Sequence, residues 1–186
     1  LVSDAYSKGV TMGSDLLSVE GQTPEFIVWA QKDKNGAPLQ RVQIIKGWVD
    51  MASGRPKEKI FDVACSDGLQ PDPNTNICPD NGAKVNINDC SISSNVGSSE
   101  LKTIWKDPEF VKENKSFYYV RVLENPTCRW STWDAIKSGY KPREDLHETI
   151  QERAWTSPIW YIPEESNVEV IPLGGTIQLR TVSYTH

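Results

Sequence analysis

The chain has 186 residues, is 38% hydrophobic and 9% aromatic, and carries a net charge of −5. That apolar content is enough for one sizeable core and excludes a disordered chain. Lysines and arginines are scattered rather than striped, which argues against nucleic acid as a partner, and no apolar run approaches the roughly 20 residues that span a bilayer.

In chain order, residues 1–20 place Gly9 and Gly13 around Met12. The spacing lacks the strand and helix of a phosphate loop, so an irregular lead-in is expected, packing Met12 and Leu16 on a sheet. The opening phrase, LVSDAYSKGV, reads as part of something longer. Pro24 opens a first strand over 25–32, with Phe26, Val28 and Ala30 on one face and Ile27 and Trp29 on the other. Asn35-Gly36 favours a tight hairpin turn into a second strand over 39–50, where Val42, Ile44 and Lys46 alternate with Arg41, Gln43 and Ile45. A turn at 53–56 leads to a third strand over 59–64. Three strands on short turns predict a meander.

Residues 65–98 change character, with Pro, Asp, Asn, Gly and Ser dominant. A loop of this length is functional, an insert or disordered. Asp67, Asp72, Asp80 and Asp89 invite calcium, but they do not follow the alternate-position ligand pattern with a distal Glu. Acidic residues solvating a loop account for them better. Ser98 or Ser99 predicts the cap of a short helix over 100–106, packed by Leu101, Ile104 and Trp105.

Residues 117–161 organise the rest. The best strand covers 117–124, with Tyr118, Val120 and Val122 opposed to Tyr119, Arg121 and Leu123, and Asn125-Pro126 ends it. Ser131 or Thr132 then starts a helical turn through Trp133, Ala135 and Ile136 that Gly139 closes. After a charged connector over 140–150, a return strand over 151–160 pairs with 117–124 as the central hairpin. Pro158 marks an edge, a bulge or an end in it. Two short β runs follow, 168–171 and 176–184. The pattern points to a mainly β fold, an immunoglobulin-like antiparallel sandwich with one or two short helices and a long disulfide-pinned loop. The domain occupies 1–163, and 164–186 is an extension of uncertain role.

Cys65, Cys78, Cys90 and Cys128 make no CxxC pair and have no nearby histidine, so a zinc site is poorly supported. Their even number, at loops and strand ends, fits disulfides and an oxidising compartment. Three pairings are open from sequence; Cys65–Cys78 with Cys90–Cys128 is the expected one, and four reduced, buried thiols are the alternative. His147 and His186 have no metal-binding neighbours and read as surface residues. No GxSxG motif is present, and no carboxylate pair carries a sign of tuning. A free-standing enzyme is therefore the least supported class. Of seven tryptophans, Trp29, Trp48, Trp105, Trp155 and Trp160 are expected in the core. The corner pair, Trp130 and Trp133, with Arg129 and Asp134 as polar partners, is the candidate contact surface, toward another domain or toward a sugar in a carbohydrate-binding module.

The phrases KGVTMGSDL (8–16), RVQIIKGWVD (41–50), FDVACSDG (61–68), YYVRVLENPTCRWSTWDAI (118–136) and ERAWTSPIWY (152–161) resemble the C-terminal part of domain-of-unknown-function family 3604 over roughly residues 6–163. The resemblance implies kinship to the polymerase-and-histidinol-phosphatase (PHP) metallohydrolases and a periplasmic or secreted location. It also implies an N-terminal metal-binding barrel with a GDLHxHT-like motif. No such motif occurs here, so the implied divalent metal belongs to that other domain, no cofactor is expected in this chain, and no metal ligand is carried onto its residues. The implied partners are that N-terminal domain and, through an unpaired sheet edge, a second copy of the chain.

Overall fold

β-Branched and aromatic residues at alternate positions give this chain strands with one face to bury. The computed structural model describes residues 2–164, 167–173 and 176–182. In order the elements are α1 (Val2–Lys8), β1 (Asp15–Leu17), β2 (Glu25–Gln31), β3 (Leu39–Val49), β4 (Pro56–Cys65), β5 (Glu100–Lys106), β6 (Ser116–Glu124), β7 (Thr127–Cys128), α2 (Trp130–Ser138), β8 (Thr149–Ile150), β9 (Arg153–Trp155), β10 (Ile159–Ile162), β11 (Asn167–Leu173) and β12 (Thr176–Val182). A large sheet runs β1-β10-β6-β3-β4, with β9 beside β6, and a β2–β5 ribbon makes the second layer. The core forms between them, from Phe26, Val28 and Leu101 of the ribbon and Val42, Ile44, Tyr118 and Tyr161 of the sheet. Phe26 meets Tyr118 at 4.5 Å between ring centroids, and Phe61 meets Trp105 at 5.1 Å. The result is a mainly β sandwich with two short helices and a disulfide-pinned loop. Its pairing is antiparallel except for β1, which runs parallel to β10.

β6 holds the central place expected of it, between β3 on one side and β9 with β10 on the other. The return strand is broken in two. Pro158 has no N–H to give the ladder, and its carbonyl instead accepts from Gly13 at 2.8 Å. At the break the Thr156 hydroxyl accepts the Val120 N–H at 3.0 Å in place of a backbone oxygen.

The meander does not form. Asn35-Gly36 makes its turn, with Gly36 N–H donating to the Asp33 carbonyl at 3.1 Å. Pro38 then denies the next donor, the chain crosses to the other layer, and β2 pairs with β5 instead of β3. Only β3 and β4 make the expected hairpin. Residues 100–106 are a strand, not a helix. All seven pair with β2, Leu101 and Trp105 pack inward at strand spacing, and Ile104 faces solvent. β-Branched Thr103 and Ile104 suit that strand better than a helix, and Ser98 joins Leu39 in a β-bridge instead of capping. The lead-in contains a helix and a strand; Leu16 packs on the core as expected, whereas Met12 stands in solvent. The two β runs beyond Pro163 pair as the β11–β12 hairpin; residues 183–184 of the second run lie outside the described residues.

One polar cluster is buried inside the sandwich because Lys46 shares the core face with Val42 and Ile44. Its ammonium lies 2.5 Å from Asp107 and donates to the Glu109 carbonyl at 2.8 Å. The Tyr118 hydroxyl donates to the same Asp107 carboxylate at 2.8 Å.

Candidate functional site

The corner after β6 is held by amide side chains. Asn125 is buried; its side-chain N–H donates to the Val96 carbonyl at 2.9 Å, and its side-chain oxygen accepts from Asn81 at 2.9 Å. Asn81 also accepts from Gln40, and Gln151 donates to both Gln40 and the Glu124 carbonyl. Gly97 makes this possible: at φ +92° it sits so close that a Cβ would stand 2.5 Å from the Asn125 amide nitrogen and 2.6 Å from Pro38. Two disulfides complete the frame, Cys65–Cys78 and Cys90–Cys128, the second joining the long loop to β7.

Next to this frame opens a cleft of 530 Å³, with Gln40, Gln151, Arg129, Arg153, His147 and Asp80 among its lining residues. Arg129 precedes α2 and ties the connector down. Its Nε donates to the His147 carbonyl at 3.0 Å, its backbone N–H donates to the Glu148 carbonyl, and the Thr132 hydroxyl donates to Glu148 as well. α2 ends at Gly139 as expected, in the left-handed conformation, with Tyr140 N–H donating to Ala135. Its first turn has no side-chain cap.

The four candidate residues separate. Arg129 lines the cleft, while Trp130, Trp133 and Asp134 lie outside it, exposed on α2. Trp130 is 71% exposed and Trp133 39%, and the Lys137 ammonium sits 5.2 Å over the Trp133 ring.

Compared with known families, residues 1–163 match the model of the protein of unknown function DUF3604. The chain belongs to the DUF3604 family. No curated protein and no solved structure matches it.

Asp72, Asp80 and Asp89 of this DUF3604 chain's long loop each close a local turn. Asp72 accepts backbone N–H groups from Asn74 and Thr75, and Asp89 accepts from Ser91, which holds both carboxyls below their ordinary range. Asp80 accepts from Gly82, and Asp67 binds the Gly97 N–H across the loop. Glu124, behind the cleft, is pushed up by burial. Among the described residues no three His, Cys, Asp or Glu side chains are grouped to hold a metal ion.

Sequence reasoning missed the amides Gln40, Asn81 and Gln151, which no periodicity marks, and Arg153. It also placed Trp29, Trp155 and Trp160 in the core, whereas they are 54%, 59% and 41% exposed. Strand parity puts each on the face turned away from the core, so the sheets bury one side of these strands and leave the tryptophans in solvent.

Proposed function

We propose that this chain is the non-catalytic C-terminal β-sandwich region of an exported, PHP-like metal-dependent hydrolase, and that it packs on the catalytic domain and shapes access to its active site. The observation that carries the reading is α2. Trp130 and Trp133 stand in solvent on a short helix fixed by the Cys90–Cys128 disulfide, by Arg129 on the connector and by the Gly139 cap. A rigid apolar surface beside a cleft is what a docking contact needs, because little ordering entropy remains to be lost on binding. Membership of DUF3604 supports the kinship, and two disulfides fit a periplasmic or secreted location. The metal and its ligands belong, in this reading, to the other domain.

The rival role for this corner, stacking a sugar on Trp130 and Trp133, is less well served, since Lys137 already covers one face of Trp133. The test is Arg129→Ala and Trp130→Ala in the full-length protein. Both are expected to lower hydrolysis or release the sandwich in limited proteolysis, without unfolding the sandwich itself. Wild-type activity and wild-type proteolysis in both variants contradict the reading.

A further inference from the structure

We infer that the outward face of the large sheet, from the cleft to Trp160, binds an acidic polysaccharide. The register fixes what that face carries. Arg153 lies opposite Leu123, Trp155 opposite Arg121, and Trp160 opposite Phe117, with Tyr119 between them on β6. All point away from the core, whose contacts from β6 and β10 come from Tyr118, Val120, Val122, Ile159 and Tyr161.

The aromatic part is built. Phe117 lies 5.3 Å from Trp160, and 6.3 Å from Tyr119 with their planes 14° apart. Gly47 makes room beneath it: a Cβ there would stand 2.1 Å from the Phe117 ring. Trp155 is 59% exposed, and its indole has no ring or hydrogen-bond partner among the described residues. The levels of Trp155 and Trp160 are four β6 residues apart, about 13 Å at the rise of an antiparallel strand. Exposed rings over such a distance suit an extended ligand with flat C–H faces, which is what a pyranose chain offers.

The charged part decides which polysaccharide. Arg121 is steered by Gln43, which accepts from its Nε at 2.7 Å and donates to Asp62 at 2.6 Å. Both Nη groups of Arg121, and the whole guanidinium of Arg153, have no partner among the described residues. Arg129 and Arg153 both line the cleft at the end of the row. The carboxylate that lines it with them, Asp80, already accepts the Gly82 N–H. In a chain of net charge −5, this is a local excess of guanidinium, and guanidinium forks match carboxylate and sulfate oxygens. A glycan of uronic acids or sulfated sugars satisfies both parts. The site shares Arg129 with the docking reading but none of the exposed α2 residues, and its test variants at Trp155 and Arg153 lie outside that reading.

The experiment titrates the full chain with oligogalacturonate, with chondroitin sulfate and with neutral cellohexaose, following tryptophan fluorescence and heat. One or both acidic glycans are expected to bind, more weakly as salt rises, and cellohexaose at least tenfold more weakly. W155A and R153Q, checked for an unchanged melting temperature, are expected to lose tenfold or more in affinity, and W130A to bind as wild type. Failure of both acidic glycans to bind, equal binding of cellohexaose, or wild-type affinity in W155A and R153Q overturns the inference. So does a concentration-dependent dimer that W155A abolishes while no glycan binds, which would assign the face to a second copy.

Discussion

Tyr118 ties the core to the buried Lys46–Asp107 ion pair. Burial, the nearby Asp107 charge and its hydrogen bond to Asp107 all disfavour the phenolate and raise the Tyr118 pKa. The raised pKa stabilises the fold fully below the ordinary tyrosine value of about 10. Above that pH the unfolded chain releases the proton and the folded one does not, so this stability falls. Denaturant midpoints measured between about pH 9 and pH 11 should therefore decline, and less steeply in Tyr118→Phe. At neutral pH the same variant loses a hydrogen bond to a charged group, a cost of about 2 kcal/mol. Asn125 gives a second residue-scale prediction. Asn125→Ala leaves the Val96 carbonyl without its side-chain donor and takes one of its acceptors from the Asn81 amide, and equilibrium unfolding should show a loss of about 2 kcal/mol. Neither role is legible in sequence. Lys46 can be assigned by alternation to the face of Val42 and Ile44, but its partner Asp107 lies 61 positions on, beyond the reach of any local pattern.

At the scale of elements, what sequence shows depends on whether the deciding contacts are local. Alternation marks β2, β3, β4 and β6, and Gly139 stops α2, because each depends on its own residues. Pairing does not. Asn35-Gly36 makes a turn as its chemistry demands, yet Pro38 sends β3 to the other layer. Residues 100–106 are ambiguous between helix and strand when read alone, and the free edge of β2 decides for strand. The expected disulfides form, but sequence leaves three pairings open, and only the fold brings Cys90 of the long loop to Cys128 of β7. In the chain-entropy description the 38-residue separation of Cys90 and Cys128 corresponds to about 4 kcal/mol. The 13-residue separation of Cys65 and Cys78 corresponds to about 3 kcal/mol. Removing each bridge as a double Cys→Ser variant should therefore cost more stability for Cys90–Cys128, measured by denaturant unfolding.

At the scale of the molecule, the sandwich places its unusual surfaces at the corner after β6. The amide network and the second disulfide make that corner rigid, α2 presents Trp130 and Trp133, and the cleft with Arg129 and Arg153 lies alongside. The segment 125–134 was legible as unusual because Pro, Cys and two Trp are crowded into it. The cleft was not, since residues 40, 80, 147, 151 and 153 meet in it and only the fold brings them together. The proposed role makes α2 a covered surface in the complete hydrolase. The most direct measurement is amide hydrogen exchange on the full-length protein and on the 186-residue chain. If α2, Trp130–Ser138, is covered, it exchanges more slowly in the full-length protein while β3 and β6 exchange alike in both. Equal exchange of α2 in the two proteins would contradict the proposed role.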